Sequence, residues 1–154
     1  MAAVLLGMPL AAKAVKTNNV EPFSEEAARI ISYTLYAEAR GEPLAGLRAV
    51  ACVIKTRARL RNKPLVEVCL EDQQFSCWND IEAVPQSYIT GVGLKPADIR
   101  ARGDCYSIAW VLMYSKKEWV FFTHFYNPAK ATPAWANELE GKRTIGKHVF
   151  GYIL

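Results

Sequence analysis

After residue 21 the chain begins with two stretches in which apolar residues recur at helical spacing. Ser24 is a good N-cap, and the two glutamates after it occupy the first turn, where the helix dipole favours negative charge. The stripe predicts a helix ending at about Ala39, because Gly41 is a common kind of helix stop. A second helix is predicted to start at Pro43, with one apolar side formed by Leu44, Leu47, Val50, Ala51 and Ile54.

The middle of the chain is less regular. A short third helix is predicted from Leu65 to Glu71, followed by an irregular loop over Phe75 to Asp80. Residues 84–103 contain two prolines and three glycines, which is typical of a long surface excursion. Asp104 is predicted to cap a further helix that runs to about Ser115.

The hydrophobic period then changes. Trp119 to Tyr126 is dense in aromatic and β-branched residues, which favours a strand that Asn127 and Pro128 end. A second strand is predicted over Thr144 to Ile153. Helices followed by a small antiparallel sheet indicate an α+β fold in one domain, which we assign to residues 22–154.

Residues 1–21 are interpreted as an N-terminal arm or a signal-like segment. Met1 to Ala12 is apolar, and Ala12 to Ala14 has the A-x-A form of an export cleavage site, but the positive n-region is missing. The stretch is too short for a transmembrane helix. Export therefore stays open at this point.

Composition describes an ordinary globular chain of 154 residues, with 51% hydrophobic and 22% charged residues and a formal net charge of +4. The positive excess is local, because seven basic residues and one acid, Glu42, lie between Arg40 and Lys63. Such a face suits a polyanion such as nucleic acid, an acidic membrane or a bacterial envelope. The alternative is a solvated helix face.

The four cysteines form no CxxC pair. Cys52 and Cys105 fall in apolar helical stretches, where a free thiol acts as a small hydrophobe. Cys69 and Cys77 flank a short turn-rich stretch and can pair in an oxidising compartment, but sequence alone does not choose a connectivity. With only two histidines in the chain, a Cys/His zinc site is not indicated.

Glu38 carries the strongest chemical signal. It lies three residues after Leu35 and seven after Ile31, which places it on the apolar stripe and in the last helical turn. Burial and the helix dipole both raise the pKa of a carboxyl in that position, and a protonated carboxyl can act as a general acid. The alternative is a buried glutamate satisfied by a cap or by a nearby arginine. The pattern alone favours this alternative.

Other arrangements stay open from the residues. Glu42 is a possible carboxylate partner of Glu38 and an equally good cap for the second helix, and no spacing selects among the remaining candidates, Asp72, Asp80 and Glu82. His124 and His148 lie on the two predicted strands, where they can meet and bind a metal with Glu38 or act as ordinary strand residues. A cysteine nucleophile with one of these histidines as its base ranks lower.

Several segments together resemble the spore-cortex-lytic-enzyme-like (SleB-like) cell wall hydrolases, a family that also occurs in bacteriophage lysis and virion proteins. The resemblance runs from about Ala27 to Tyr152 in matching order. The segments that carry it are Tyr36–Pro43 with Gly46 and Ala49–Ala51, Gln74–Ser76, His124–Pro128, Trp135 and Ile145–Phe150.

The resemblance implies a lysozyme-like α+β fold and cleavage of peptidoglycan between N-acetylmuramic acid and N-acetylglucosamine. The motif glutamate of the family corresponds to Glu38, which reverses the preference stated above. The implied reaction is lytic transglycosylation, in which one carboxyl acts first as acid and then as base and leaves a 1,6-anhydro-muramoyl end. The alternative within the class is a muramidase that admits water and uses a second carboxylate.

The remaining matched positions receive binding or supporting roles from the resemblance. Four are expected to line the cleft near Glu38: Phe75, Ser76, Tyr126 and Asn127. Trp78 and Trp135 are expected either to stack on sugar faces or to pack in the core. Glu42 and His148 are expected to support the site. The expected role of His148 is to fix the terminal strand.

The expected partner is peptidoglycan, with no nucleic acid, no stable membrane insertion, no cofactor and no metal, and the chain is expected to be a monomer. The expected location is the cell wall or periplasm, reached by export or by phage-mediated release. The alternative from another class is a non-enzymatic module that binds polyanions or the envelope through the basic residues between Arg40 and Lys63.

Overall fold

The computed structural model describes residues 20–154. The predicted N-terminal arm therefore lies almost entirely outside the described residues. Within the described part of the chain, no helix is both long and apolar enough to cross a membrane.

Within residues 20–154, five α-helices and two short 3₁₀-helices precede or flank a three-stranded sheet. The helices are α1 (Glu25–Ala39), α2 (Leu44–Arg61), α3 (Leu65–Leu70), α4 (Gln86–Thr90) and α5 (Pro96–Tyr114), and the 3₁₀-helices span Ser76–Trp78 and Ala134–Asn137. Helix α1 lies at the centre of this layer, in contact with α2, α3 and α5. The predicted bounds of α1 and α3 and the predicted start of α2 agree with these to within one or two residues.

The start of α1 follows from its sequence. The Ser24 hydroxyl accepts a hydrogen bond from the Ala27 amide at 3.1 Å, which satisfies one of the amides that the first helical turn leaves free. Ile31 and Leu35 are fully buried on the stripe that the spacing predicted. This stripe fixes the rotation of α1 and hence the direction in which its last turn presents Glu38.

The prediction of a long irregular excursion over residues 84–103 is wrong, because helices occupy parts of both halves of this segment. Residues 86–90 form α4, and α5 starts at Pro96, so Asp104 lies inside a helix rather than at its cap. Proline has a fixed φ that suits the first helical turn, where its missing N–H costs no hydrogen bond. Pro96 therefore starts the helix, although the proline and glycine content of residues 84–103 favoured a loop.

The sheet is antiparallel with strand order β1-β3-β2, and its strands are β1 (His124–Tyr126), β2 (Glu140–Ile145) and β3 (His148–Tyr152). Two strand predictions need correction. Residues 119–123 are not part of a strand, and the single strand predicted over Thr144 to Ile153 is interrupted by a two-residue turn. Gly146 has φ +59° there, which turns the chain back and makes β2 and β3 a hairpin.

The register decides which side chains share a face of the sheet. Phe125 is opposite Phe150, and both rings lie against each other on the buried face together with His148. His124 and Tyr126 point to the other face, because side chains alternate along a strand. The two histidines of the chain therefore lie on opposite faces of the sheet.

Candidate active site

Glu38 is the last residue but one of α1, as the sequence predicted, and its side chain is half-buried. Burial raises the pKa of this carboxyl above its ordinary value, while the positive charges of Lys130 and Arg57 pull it back in part. The last turn of α1 carries no basic residue that would offset the helix dipole. The site therefore favours a carboxyl that holds its proton to higher pH than an exposed glutamate does.

The Glu38 carboxyl has no partner in the described part of the chain. It forms no hydrogen bond and no ion pair within 4 Å with residues 20–154. This contradicts the alternative that Glu38 is a structural residue satisfied by a cap or by an arginine. A half-buried carboxyl without a protein partner is free to exchange its proton with a ligand.

Arg57 provides a fixed positive charge beside Glu38. Its Nε donates to the Thr123 carbonyl at 2.8 Å and its Nη1 donates to Gln74 Oε1 at 3.1 Å. Its guanidinium lies 5.7 Å from the centroid of the Phe75 ring. Burial lowers the pKa of Arg57 to about 10, so the side chain stays charged at neutral pH. Arg57 thus joins α2 to the residue before β1 and acts on Glu38 through its charge.

Asn127 shapes the loop that carries the second positive charge. Its Oδ1 accepts from the Ala129 amide at 3.0 Å, and its carbonyl accepts from the amides of Lys130 at 3.0 Å and Ala131 at 3.1 Å. These bonds form a tight turn directly after β1. The turn brings Lys130 near Glu38, so the structure gives Asn127 a role in positioning this loop.

An aromatic cluster lies on the face of the sheet that carries His124 and Tyr126. The half-exposed Trp135 ring is 4.9 Å from the His124 ring and 5.8 Å from the Tyr126 ring, centroid to centroid. Tyr126 forms no hydrogen bond to Glu38 in the described structure. The cluster offers an aromatic surface with a polar edge, which is the kind of surface that sugars pack on.

Two of the residues expected to contact substrate are buried instead. Phe75 is 1% exposed and lies beneath Arg57, and Trp78 is 2% exposed. The Trp78 indole N–H donates to the Thr34 hydroxyl at 2.9 Å, and its ring packs against Tyr33. Direct contact between a sugar and either ring is therefore excluded in this conformation, and core packing is the correct interpretation of Trp78. Ser76 between them is exposed.

This difference gives a test. We expect Trp78→Phe to lower the free energy of unfolding by about 1 kcal/mol, because it removes a buried hydrogen bond, and to leave KM unchanged. Trp135→Ala is expected to raise KM for wall fragments with little change in stability. Urea unfolding and steady-state kinetics on both variants check the assignment. A raised KM for Trp78→Phe would contradict it.

Glu42 does not cap α2, whose N-cap residue, Pro43, has no side-chain cap bond. Its carboxylate reaches the β2-β3 hairpin instead, accepting from the Lys147 amide at 2.7 Å and lying 3.6 Å from His148 Nδ1. A Cβ added at Gly146 would lie only 1.7 Å from that carboxylate. Glu42 therefore holds the hairpin against the helices, and His148, 9% exposed, is part of this contact.

The structure does not support the hypotheses of a histidine metal site or a cysteine nucleophile. His124 and His148 occupy opposite faces of the sheet and cannot meet across it. The cysteines are free thiols. Burial raises the pKa of Cys69 and of Cys105 to about 12, which keeps both protonated and poorly nucleophilic.

Sequence reasoning missed the two cations beside Glu38. Arg57 was counted only as part of a basic helix face, and Lys130 was not considered. Arg57 lies two positions from both Lys55 and Arg59, which turns it about 200° away from them around the helix axis. That offset was the available signal that Arg57 has a different environment.

Comparison with known proteins identifies the fold and the family of the chain. The structure matches the catalytic domain of the SleB protein of Bacillus cereus with a TM-score of 0.52 and 23% identity, covering 88% of this chain and 97% of that chain. The match confirms the predicted lysozyme-like α+β fold. No curated protein is significantly similar in sequence. The sequence profile described as Cell Wall Hydrolase matches residues 41–151, a range that starts just after Glu38. The chain therefore belongs to the cell wall hydrolase family and is a peptidoglycan-acting enzyme.

Proposed function

We propose that the protein is a peptidoglycan lytic transglycosylase that cleaves between N-acetylmuramic acid and N-acetylglucosamine, with Glu38 as its acid and base. The observation that carries the proposal is the environment of Glu38. Its carboxyl is half-buried, has a raised pKa and has no partner among residues 20–154, and the charges that act on it most strongly are cations. A site with one such carboxyl fits a reaction that needs a single acid and base.

In the proposed reaction the Glu38 carboxyl gives its proton to the glycosidic oxygen as the bond from that oxygen to the muramoyl C1 breaks. The resulting carboxylate then takes the proton of the muramoyl 6-hydroxyl, whose oxygen bonds to C1 and closes the 1,6-anhydro ring. Water does not enter the balance. Glu38 ends the cycle protonated, as it began.

The neighbouring cations have a defined part in this cycle. Burial favours the protonated carboxyl that starts the reaction, while Arg57 and Lys130 stabilise the carboxylate that exists between the two proton transfers. Burial and the two cations therefore act on the pKa of Glu38 in opposite directions. Such a balance suits a group that must first give and then take a proton.

The glycan is proposed to lie over the aromatic cluster. Trp135 and Tyr126 provide the ring surfaces, the exposed Ser76 provides a hydroxyl on the helical side, and Asn127 fixes the loop of Lys130. The wall lies outside the cytoplasm, so the proposed place of action is the cell wall or periplasm, reached by export or by phage-mediated release.

The chemistry of the new chain ends tests the proposal. Purified peptidoglycan is digested in water enriched in ¹⁸O, and the released fragments are identified by mass spectrometry. We expect 1,6-anhydro-muramoyl ends that carry no ¹⁸O. Reducing ends labelled with ¹⁸O would show a muramidase with a second catalytic group, and no release with intact wall binding would move the assignment to a binding module.

A further inference from the structure

A large cavity in the described structure lies away from Glu38. It has a volume of about 620 Å³ and is formed by α2, the C-terminal end of α5, the segment that follows α5, and Pro22 with Phe23 at the rim. This volume is in the range of pockets that hold small molecules or a segment of a polymer. Neither the fold nor the proposed reaction uses it.

The cavity is lined mainly by positive charge. Five cations face it together with one carboxylate, that of Glu118; the cations are Lys55, Arg59, Lys63, Lys116 and Lys117. Glu118 is 92% exposed and lies 3.7 Å from Arg59, so solvent weakens this ion pair strongly. An anion in the cavity therefore meets a net positive field.

The five cations differ in whether they already form ion pairs or hydrogen bonds with other groups of the protein. Lys63 is paired with Glu71 at 2.7 Å and with Glu67 at 3.1 Å, and Lys55 donates to the Leu112 carbonyl at 3.0 Å. The two adjacent lysines after α5, residues 116 and 117, are exposed and form no ion pair within the described part of the chain. These two are the charges most available to a ligand.

Aromatic rings form part of the cavity wall. Trp119 is half-exposed and follows directly after the charged segment. Phe23 at the rim is 59% exposed, and its ring lies 5.3 Å from that of Tyr114. Exposed rings beside cations suit a ligand that carries both anionic groups and sugar faces, rather than a simple inorganic ion.

The cavity lies on the side of α2 opposite the candidate active site. Lys55 and Arg59 line it, whereas Arg57, which acts on Glu38, is turned about 200° from each of them. A ligand in the cavity can therefore be held while the glycan is cleaved elsewhere on the protein. Loss of one function does not require loss of the other.

We propose that this cavity binds an anionic wall polymer, a chain of glycosylated polyol units joined by phosphodiesters. The phosphates lie among the lysines and the sugar substituents lie against Trp119. The chain's own first 20 residues are a poorer occupant, because they contain Lys13 and Lys16 and no acidic residue. Binding there holds the enzyme on the wall near its substrate.

The test uses the full chain and measures affinity for soluble poly(glycerol phosphate), with and without sugar substituents, over a range of salt concentrations. Lys116→Gln/Lys117→Gln is expected to weaken binding about tenfold at low salt and to reduce the salt dependence. Lys95→Gln/Lys142→Gln removes the same charge outside the cavity and is expected to bind as the wild type does. Trp119→Ala is expected to remove the preference for the sugar-bearing chain.

Each outcome decides the matter. Equal losses in the two lysine double variants would overturn the proposal, since net charge rather than the cavity would then control binding. Equal or tighter binding of a single-stranded oligonucleotide of matched charge, lost in the same variants, would overturn the identity of the ligand. Cleavage of small wall fragments, measured on the same proteins, is expected to be unchanged in all the lysine variants, so a failure here is separate from a failure at Glu38.

Discussion

Glu38→Gln is expected to lower kcat for wall cleavage by roughly a thousandfold, the range typical for loss of a general acid. Glutamine keeps the size and polarity of the side chain but cannot give or take the proton. The half-buried side chain has no partner to lose in the part of the chain that the structure describes, so the fold is expected to survive. Release of soluble fragments from purified peptidoglycan measures the effect.

The same variant has an expected signature in stability. Because burial raises the pKa of Glu38, the folded state binds a proton more tightly than the unfolded state. The wild type therefore loses stability as pH rises from the ordinary glutamate pKa, about 4.3, to the raised value. Glu38→Gln lacks this loss. Its melting temperature is expected to exceed that of the wild type above this window, with the difference shrinking below it.

The matched control is Glu21→Gln, which changes an exposed glutamate in the same way. It is expected to leave both activity and stability unchanged. An active and less stable Glu38→Gln protein would mean that Glu38 is a structural residue with partners that the described contacts lack. Equal loss of activity in both variants would point to net charge and away from a specific acid.

Arg57→Met is expected to lower the free energy of unfolding by about 2 kcal/mol and to shift the chemistry of Glu38. The substitution leaves the Thr123 carbonyl and the Gln74 side chain without their donor, and unsatisfied groups of this kind cost about 1–3 kcal/mol. It also removes a positive charge that lowers the pKa of Glu38. That pKa is therefore expected to rise further.

Two measurements separate these effects. Urea unfolding gives the loss of stability, and the pH dependence of kcat/KM gives the shift, with its alkaline limb expected at higher pH than in the wild type. Arg48→Met, an exposed position on the same helix, is the control and is expected to change neither. If the alkaline limb of kcat/KM lies at the same pH in Arg57→Met as in the wild type, Arg57 does not affect the pKa of Glu38.

The position of Glu38 was predictable because local signals agree along α1. Ser24 caps the start, Ile31 and Leu35 set the buried stripe, and Gly41 follows the end. These signals act within a few residues, so the sequence displays them directly. The proposal that Glu38 is the acid came from the family resemblance, since the pattern alone favoured a structural glutamate.

The errors in the predicted elements and contacts arose where one residue type is compatible with two different structures. Proline both breaks and starts helices, and Pro96 starts one. The β-rich run from Thr144 continues through Gly146 in composition, although that glycine turns the chain back. Tryptophan is a residue type that often stacks on sugars, but Trp78 is buried against Tyr33 and Thr34, which are far from it in sequence. Tertiary contacts of this kind leave no local trace.

The cations beside Glu38 were missed for the same reason. Arg57 lies on the next helix and Lys130 on a loop beyond β1, and only the packing of the sheet against the helices brings them together. Glu42 is similar, because its partner amide at Lys147 lies in the distant hairpin. The sequence pattern thus predicted the position of Glu38 on α1, whereas the charges around it could be identified only from the folded structure.

The measurement that tests the central claim most directly is the titration of Glu38 itself. Glutamate side-chain carboxyls are labelled with ¹³C, the Glu38 signal is identified by its absence in Glu38→Gln, and kcat/KM is measured over the same pH range. The account predicts that Glu38 titrates above the ordinary glutamate pKa, at the midpoint of the alkaline limb of kcat/KM. Titration at or below the ordinary value, or a limb with a different midpoint, would contradict it.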